Sequence, residues 1–173
     1  ILGDQTIYIP AAGMTARETS GAESGSAETS TNKLMIETMD FDTSSDEYIQ
    51  FSVRMPKGWN ASTLTAAFTW SHAATSTNFG VAWGIQAVAL VNGDGIDTAF
   101  GTAVVTTDTG GTTDDIYLSG DSTAITLSNT PAKSDWVVFQ IFRDVSDAGD
   151  TMAIDARLHG ISLFYTTDSA TDD

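Results

Sequence analysis

The chain contains no cysteine, few prolines and few basic residues. Its 173 residues include three prolines and seven lysines plus arginines. Without cysteine there is neither a disulfide framework nor a thiolate for catalysis or metal binding. No apolar run approaches the roughly 20 residues that a membrane helix requires, so we expect no membrane partner. What is abundant is serine, threonine, glycine and aromatic side chains, a composition typical of β-sandwich proteins.

The charge balance is strongly acidic. Twenty-three aspartates and glutamates against seven basic residues leave a formal net charge of −16. A surface of this sign repels phosphate backbones, so we expect no nucleic-acid partner. The same charge favours solubility and fits either a saline habitat or display on a large assembly.

Alternating apolar residues predict the fold class. The pattern is clearest in residues 151–167, where apolar positions recur at every second residue and shift phase at Gly160. Alternation of this kind indicates a half-buried strand, and a glycine at the phase shift indicates a β-bulge or a bend. Similar segments at short spacing predict about ten strands in all. We therefore expect an all-β protein, an antiparallel β-sandwich resembling a jelly roll.

We expect a single domain over residues 1–173, because no internal repeat or linker divides the chain. Residues 15–32 are poor in large apolar side chains and are predicted to form an extended loop or arm. Such an arm would either be ordered by a neighbouring subunit or be a mobile loop. Residues 79–91 place Gly80, Ala82 and Gly84 on one face, which lets a backbone or a large aromatic ring approach.

No catalytic or metal motif stands out. His72 and His159 lack a ligand or base at a recognised spacing, so structural or surface roles are expected for both. The acidic loop at residues 92–97 lacks the terminal glutamate of a calcium loop. There is no G-x-S-x-G nucleophile motif, and no pair of carboxylates is distinguished among so many. We therefore predict a protein that is not an enzyme, with no catalytic residue, cofactor or metal ligand.

The four tryptophans are the candidates for stacking on sugar rings. Trp70, Trp83 and Trp136 fall within apolar strand patterns and are expected in the core. Trp59 follows a turn and is expected to be exposed, which makes it the candidate glycan contact.

Several segments resemble small virion structural proteins of tailed phages and prophages of alphaproteobacteria. They are residues 7–17 (IYIPAAGMTAR), 51–60 (FSVRMPKGWN), 68–74 with 78–86, and 155–165 (DARLHGISLFY). The resemblance implies a non-enzymatic virion component assembled in the host bacterial cytoplasm, most simply a capsid decoration (cement) or head-spike protein. It supplies no active-site residues.

That resemblance, with the sandwich fold, predicts self-association as a homotrimer and contact with a major capsid protein or other virion proteins. The alternative is a tail-fibre, receptor-binding or carbohydrate-binding β-sandwich module that contacts a host surface glycan.

Overall fold

The computed structural model describes residues 3–75 and 77–171. Two antiparallel sheets pack face to face, which confirms the predicted all-β sandwich. The described residues form eleven strands, close to the expected number. They are β1 (Asp4–Pro10), β2 (Thr15–Ala16), β3 (Glu23–Glu28), β4 (Met35–Phe41), β5 (Tyr48–Arg54), β6 (Thr65–Ser71), β7 (Gly80–Leu90), β8 (Val104–Thr109), β9 (Tyr117–Leu118), β10 (Trp136–Arg143) and β11 (Ala156–Thr166). No helix in the described part of the chain has the length and apolar character required to cross a bilayer.

The first sheet, here called sheet A, has the strand order β3-β4-β11-β6-β9, and β1 also pairs with β11. β11 lies at its centre. Along one edge it pairs with β6, and along the other it pairs first with β4 and then with β1. The second sheet, sheet B, has the order β2-β5-β10-β7-β8. β10 is its central strand, between β5 and β7.

The predicted bulge in the last strand is confirmed. The register between β11 and β6 shifts between Leu158 and Gly160, so His159 is the extra residue of a β-bulge. On either side of it Leu158 and Ile161 are fully buried, which keeps both halves of the strand on the core. The strand begins at Ala156, five residues later than the alternating pattern suggested.

Residues 15–32 are not one extended loop. They contain β2, which pairs with β5, and β3, which pairs with β4. β3 lies at the edge of sheet A and consists of small and acidic residues, and five of its six residues are exposed. An edge strand needs no apolar face, so composition alone did not reveal it. Residues 124–127 form no strand and contribute an isolated bridge between Ile125 and Leu64.

The core between the sheets is aromatic. Trp83 packs edge-on against Phe41 and stacks on Phe68, with ring centroids 5.3 and 5.7 Å apart. Trp70 and Trp83 are fully buried, as predicted. Trp136 is not, because its side chain is 42% exposed on the outer face of sheet B, where β10 begins.

The small-residue face of β7 is used within the chain. A Cβ atom on Gly84 would come 2.2 Å from the Phe142 ring, and one on Gly80 would come 2.2 Å from the carbonyl oxygen of Gly149. Both glycines thus allow the close approach that the sequence predicted.

One end of the sandwich is closed by a buried ion pair. Arg143, at the end of β10, is fully buried and donates from Nε and Nη2 to the two carboxylate oxygens of Asp150, both at 2.8 Å. Its guanidinium also donates to the backbone oxygens of Met152 and Ile154, at 2.5 and 2.9 Å. Because these carbonyls precede β11, Arg143 attaches the segment before β11 to sheet B.

Candidate functional site

A groove of about 580 Å³ lies on the outer face of sheet A, where β3, β4, β11 and the end of β6 meet. We call it the sheet A groove. Polar side chains and two isoleucines line it together with the hairpin after β3 and the loop before β9. The lining residues with polar or large apolar side chains include Glu28, Ile36, Thr38, Asp40, Ser71, Asp114, Ile116, Arg157 and His159.

Strand alternation explains why these side chains face outward. In β11, Leu158 is buried against the core, so Arg157 and His159 on either side point to the opposite face. In the register of the sheet, Arg157 pairs with Asp40 of β4 on one side and with Ser71 of β6 on the other. Residues opposite each other in a sheet share a face, so three strands deliver their polar groups to one place.

Arg157 lies between two carboxylates. Its Nε is 4.0 Å from Oδ2 of Asp40, and its Nη1 is 3.6 Å from Oδ1 of Asp114. Asp40 also accepts a hydrogen bond of 2.7 Å from the hydroxyl of Thr38. Asp114 adopts a left-handed backbone conformation with φ of 61°, which aspartate tolerates better than most residues. The guanidinium is therefore oriented from two sides.

Gly25 allows the edge strand to approach this cluster. A Cβ atom at position 25 would lie 2.5 Å from Oγ1 of Thr38 and 2.6 Å from Oδ2 of Asp40. Any side chain there would displace the carboxylate that orients Arg157. The glycine in β3 thus keeps this wall of the groove close to the β4 side chains.

His159 pairs with Ser71. Its Nε2 is 2.7 Å from the Ser71 hydroxyl, and burial, followed by the positive charge of Arg157, lowers the pKa of the imidazole despite an opposing effect of Asp40. A nucleophilic serine also needs a group that orients the second imidazole nitrogen. Within residues 3–75 and 77–171, His159 Nδ1 has no such hydrogen-bond partner. The pair offers a hydroxyl and a neutral imidazole for hydrogen bonding, without the parts of a catalytic triad.

An exposed aromatic ring adjoins this pair. Tyr8 of β1 lies on the same outer face, and 54% of its side chain is exposed. Its hydroxyl occupies the space that a side chain on Gly160 would fill, since a Cβ there would be 2.4 Å from the tyrosine oxygen. Gly160 directly follows His159, so the Tyr8 hydroxyl lies one residue along β11 from the polar groups, next to the residues that line the groove.

The groove continues into a second hollow. This hollow of about 310 Å³ shares Asp40, Ala73 and Arg157 with the sheet A groove and adds Asp155. Burial, followed by the charges of Asp42 and Asp40, raises the pKa of Asp155. Burial likewise raises the pKa of Glu47, with a contribution from neighbouring carboxylates, Asp42 first. The smaller charge effects in both cases show that several carboxylates lie near one another at this end of the groove.

The residues singled out from the sequence lie elsewhere or have other roles. Trp59 is fully buried, which excludes the predicted surface contact with a glycan. It follows the turn at Pro56, and its backbone bridges to Thr167, so the ring enters the core. His72 is also fully buried, stacked on Tyr117 with ring centroids 5.8 Å apart.

No group of three or more histidine, aspartate or glutamate side chains suited to a metal ion is found among the described residues. The acidic loop at residues 92–97 uses Asp94 internally, because its carboxylate accepts hydrogen bonds from Val91 N–H and from Asn129.

Sequence reasoning missed Tyr8, Asp40, Ser71 and Arg157. The only signal was their outward phase in alternating strands, which they share with every solvated residue of the sheet. Of the residues it singled out, only His159 lies in the groove.

Comparison with known proteins gives no family. No family model and no curated protein matches the chain. Among solved structures, the chain is similar to the CBM22-2 xylan-binding domain of Xyn10C from Paenibacillus barcinonensis. The two chains are 10% identical with a TM-score of 0.48, and the match covers 88% of this chain and 91% of that one. It is also similar to the family 11 carbohydrate-binding module from Clostridium thermocellum, in complex with a β-1,3-1,4-mixed-linked tetrasaccharide, at 11% identity, a TM-score of 0.44 and coverage of 91% and 94%.

A third structure, CBM28, a carbohydrate-binding module specific for non-crystalline cellulose, has 10% identity, a TM-score of 0.45 and coverage of 90% and 84%. At such identities and scores, a function has to be inferred from the chain's own residues.

Proposed function

We propose that this protein is a non-catalytic carbohydrate-binding β-sandwich module whose ligand lies in the sheet A groove. One observation carries the proposal: hydrogen-bonding side chains from three strands converge in this groove, and the hydroxyl of the exposed Tyr8 lies over Gly160, which directly follows His159. A concave surface with a few convergent polar groups is the usual form of a small-ligand site.

The chemistry of the groove suits a sugar chain. Pyranose hydroxyls both donate and accept hydrogen bonds, and the groove offers donors on Arg157 and acceptors on Asp40 and Asp114. Charged partners make these hydrogen bonds stronger than neutral ones. Because the Arg157 guanidinium is already oriented, less side-chain entropy is lost on binding.

The apolar parts of the site complement the apolar faces of sugar rings. The Tyr8 ring presents a flat surface with a polar tip, and Ile36 and Ile116 line the groove further along. Ile116 is 55% exposed, so a ligand that covers it would remove apolar surface from water.

A glycan array followed by titration calorimetry tests the proposal. We expect at least one polysaccharide to bind, and Tyr8→Ala and Asp114→Ala each to weaken binding by about tenfold, or roughly 1.4 kcal/mol. Trp136→Ala is the matched control, because it removes an exposed aromatic ring from the opposite sheet. Absence of any glycan ligand, or equal affinities for all three variants and the wild type, would contradict the assignment.

The virion role implied by the sequence resemblance stays a separate prediction, with its homotrimer and its contact to a major capsid protein. It is compatible with glycan binding, since a fibre module can carry a receptor site. Size-exclusion chromatography with light scattering tests the trimer. Electron cryomicroscopy of virions tests the location, where copies spread over the head would indicate a cement protein.

A further inference from the structure

We propose that the sheet A groove selects uncharged polysaccharides and rejects those that carry carboxylate or sulfate groups. The inference rests on the proposed function and adds the class of ligand. It follows from the number, pairing and surroundings of the charges in the groove.

Acidic groups outnumber basic ones along the groove. Among the described residues that line it, Glu28, Asp40 and Asp114 are acidic and Arg157 is the single cation. Lys33 forms an ion pair of 3.1 Å with Glu28, but both side chains are at least half exposed and the pair is screened by water. An anionic sugar would therefore meet a surface of its own sign.

The positive charge of Arg157 is already compensated by two carboxylates. Arg157 lies within 4.0 Å of Asp40 and 3.6 Å of Asp114, and 31% of its side chain is exposed. A carboxylate or sulfate bound at its remaining N–H groups would lie close to the negative charges of Asp40 and Asp114. A sugar hydroxyl at the same N–H groups meets no such repulsion, which favours a neutral ligand.

Neither the imidazole nor the wider surface supplies the missing positive charge. His159 has a lowered pKa and is neutral at neutral pH, because burial and Arg157 oppose its protonation. Beyond Arg157, the carboxylates of Asp42 and Asp40 add to the effect of burial in raising the pKa of Asp155, so further negative charge lies at this end of the groove. The chain as a whole carries a formal charge of −16. Repulsion of anionic polymers thus begins before contact.

Affinity electrophoresis with matched polymer pairs tests the inference. The probes are hydroxyethyl cellulose with carboxymethyl cellulose, laminarin with sulfated laminarin, and agarose with carrageenan. We expect retardation only by neutral members. Salt should change that retardation by less than about twofold, because no ion pair with the ligand is formed.

A charge-neutralised groove sharpens the test. Asp114→Asn retains a residue that tolerates the left-handed backbone but removes one negative charge. We expect it to raise the affinity for each anionic polymer relative to its neutral partner by about threefold, as for one unit charge roughly 6 Å away in water. Asp97→Asn is the control, because it changes net charge equally in the exposed loop beyond β7, outside the groove.

The outcomes separate the two proposals. If an anionic polymer binds as well as its neutral partner, or if binding is lost at high salt, charge selection is refuted while glycan binding stands. If no probe and no array glycan binds, both proposals fail. If Asp97→Asn acts as strongly as Asp114→Asn, the discrimination belongs to overall charge and not to the groove.

Discussion

Replacing Arg143 by methionine should destabilise the fold far more than breaking any surface ion pair. The Arg143 side chain is fully buried, and that of Asp150 is 4% exposed. In the variant Asp150 keeps one hydrogen bond, 3.1 Å from Ala82 N–H, but loses both of its bonds to the guanidinium. Removing one member of a buried pair costs about 3–5 kcal/mol, because the remaining charge stays buried without compensation.

The carbonyl oxygens of Met152 and Ile154 lose their donor as well. Each is bonded to the guanidinium, at 2.5 and 2.9 Å, and each unsatisfied buried group adds about 1 kcal/mol or more where water cannot replace the donor. The loss of unfolding free energy in Arg143→Met is therefore expected near or above 5 kcal/mol, the upper end of the range of about 3–5 kcal/mol for breaking a buried ion pair. It would remove a large share of the roughly 5–15 kcal/mol by which domains are stable.

Urea denaturation followed by tryptophan fluorescence measures this loss. The surface pair of Lys133 and Asp168 is the matched control: its atoms are 2.5 Å apart, but both side chains are more than 40% exposed. Lys133→Met should cost less than about 1 kcal/mol. In the Arg143→Met background, Asp150→Asn should restore part of the loss by removing the buried charge. A cost for Arg143→Met as small as that for Lys133→Met would refute the reasoning.

Three further predictions concern the bulge, the acidic surface and the tryptophans. Gly160→Ala places a Cβ 2.7 Å from the backbone of β1 and 2.4 Å from the Tyr8 hydroxyl. The variant should therefore lose about 1–3 kcal/mol of unfolding free energy in urea denaturation, and it should also bind glycan more weakly. Unchanged stability would contradict the close approach of β1 to the bulge. Asp155→Asn should raise the midpoint of thermal unfolding at neutral pH, because the native state holds Asp155 at a raised pKa and loses stability as pH rises through that pKa. The gain should be a few tenths of a kcal/mol for this exposed group and should vanish in acid, whereas an equal gain in acid would exclude a charge effect. Trp59→Ala should lower the unfolding free energy by about 3–5 kcal/mol and Trp136→Ala by less than about 0.5 kcal/mol, because of the two rings only that of Trp59 is fully buried. Similar losses for both variants in calorimetry would contradict this difference in burial.

The two misplaced tryptophans show where strand patterns stop being informative. Within a strand, alternation assigns each side chain to a face, and it correctly buried Trp70 and Trp83. Trp136 is the first residue of β10, a strand apolar on both faces, so alternation gives no preferred side. Trp59 directly follows a turn and lies in no regular strand, so no period applies and the direction of the ring depends on contacts with residues distant in sequence.

The candidate site could not be predicted from the sequence, for a different reason. Arg157, Asp40 and Ser71 come from strands that are distant in the chain and become neighbours only through the order β4-β11-β6. Sequence patterns predicted each strand and its outward positions, but not which strands pair. The edge strand β3 was missed entirely, because its residues have neither apolar alternation nor large side chains.

Gly160 nevertheless connects the two levels. The sequence predicted a bulge there from the shift of apolar phase, and the structure places the extra residue at His159. A bulge redirects the side chain it inserts, which here brings the imidazole to Ser71, 2.7 Å away. The absence of a side chain on the next residue makes room for the Tyr8 ring. The bulge at this glycine lets β11 keep apolar side chains on the core both before and after it. The same glycine thus also brings the polar and the aromatic parts of the candidate site together.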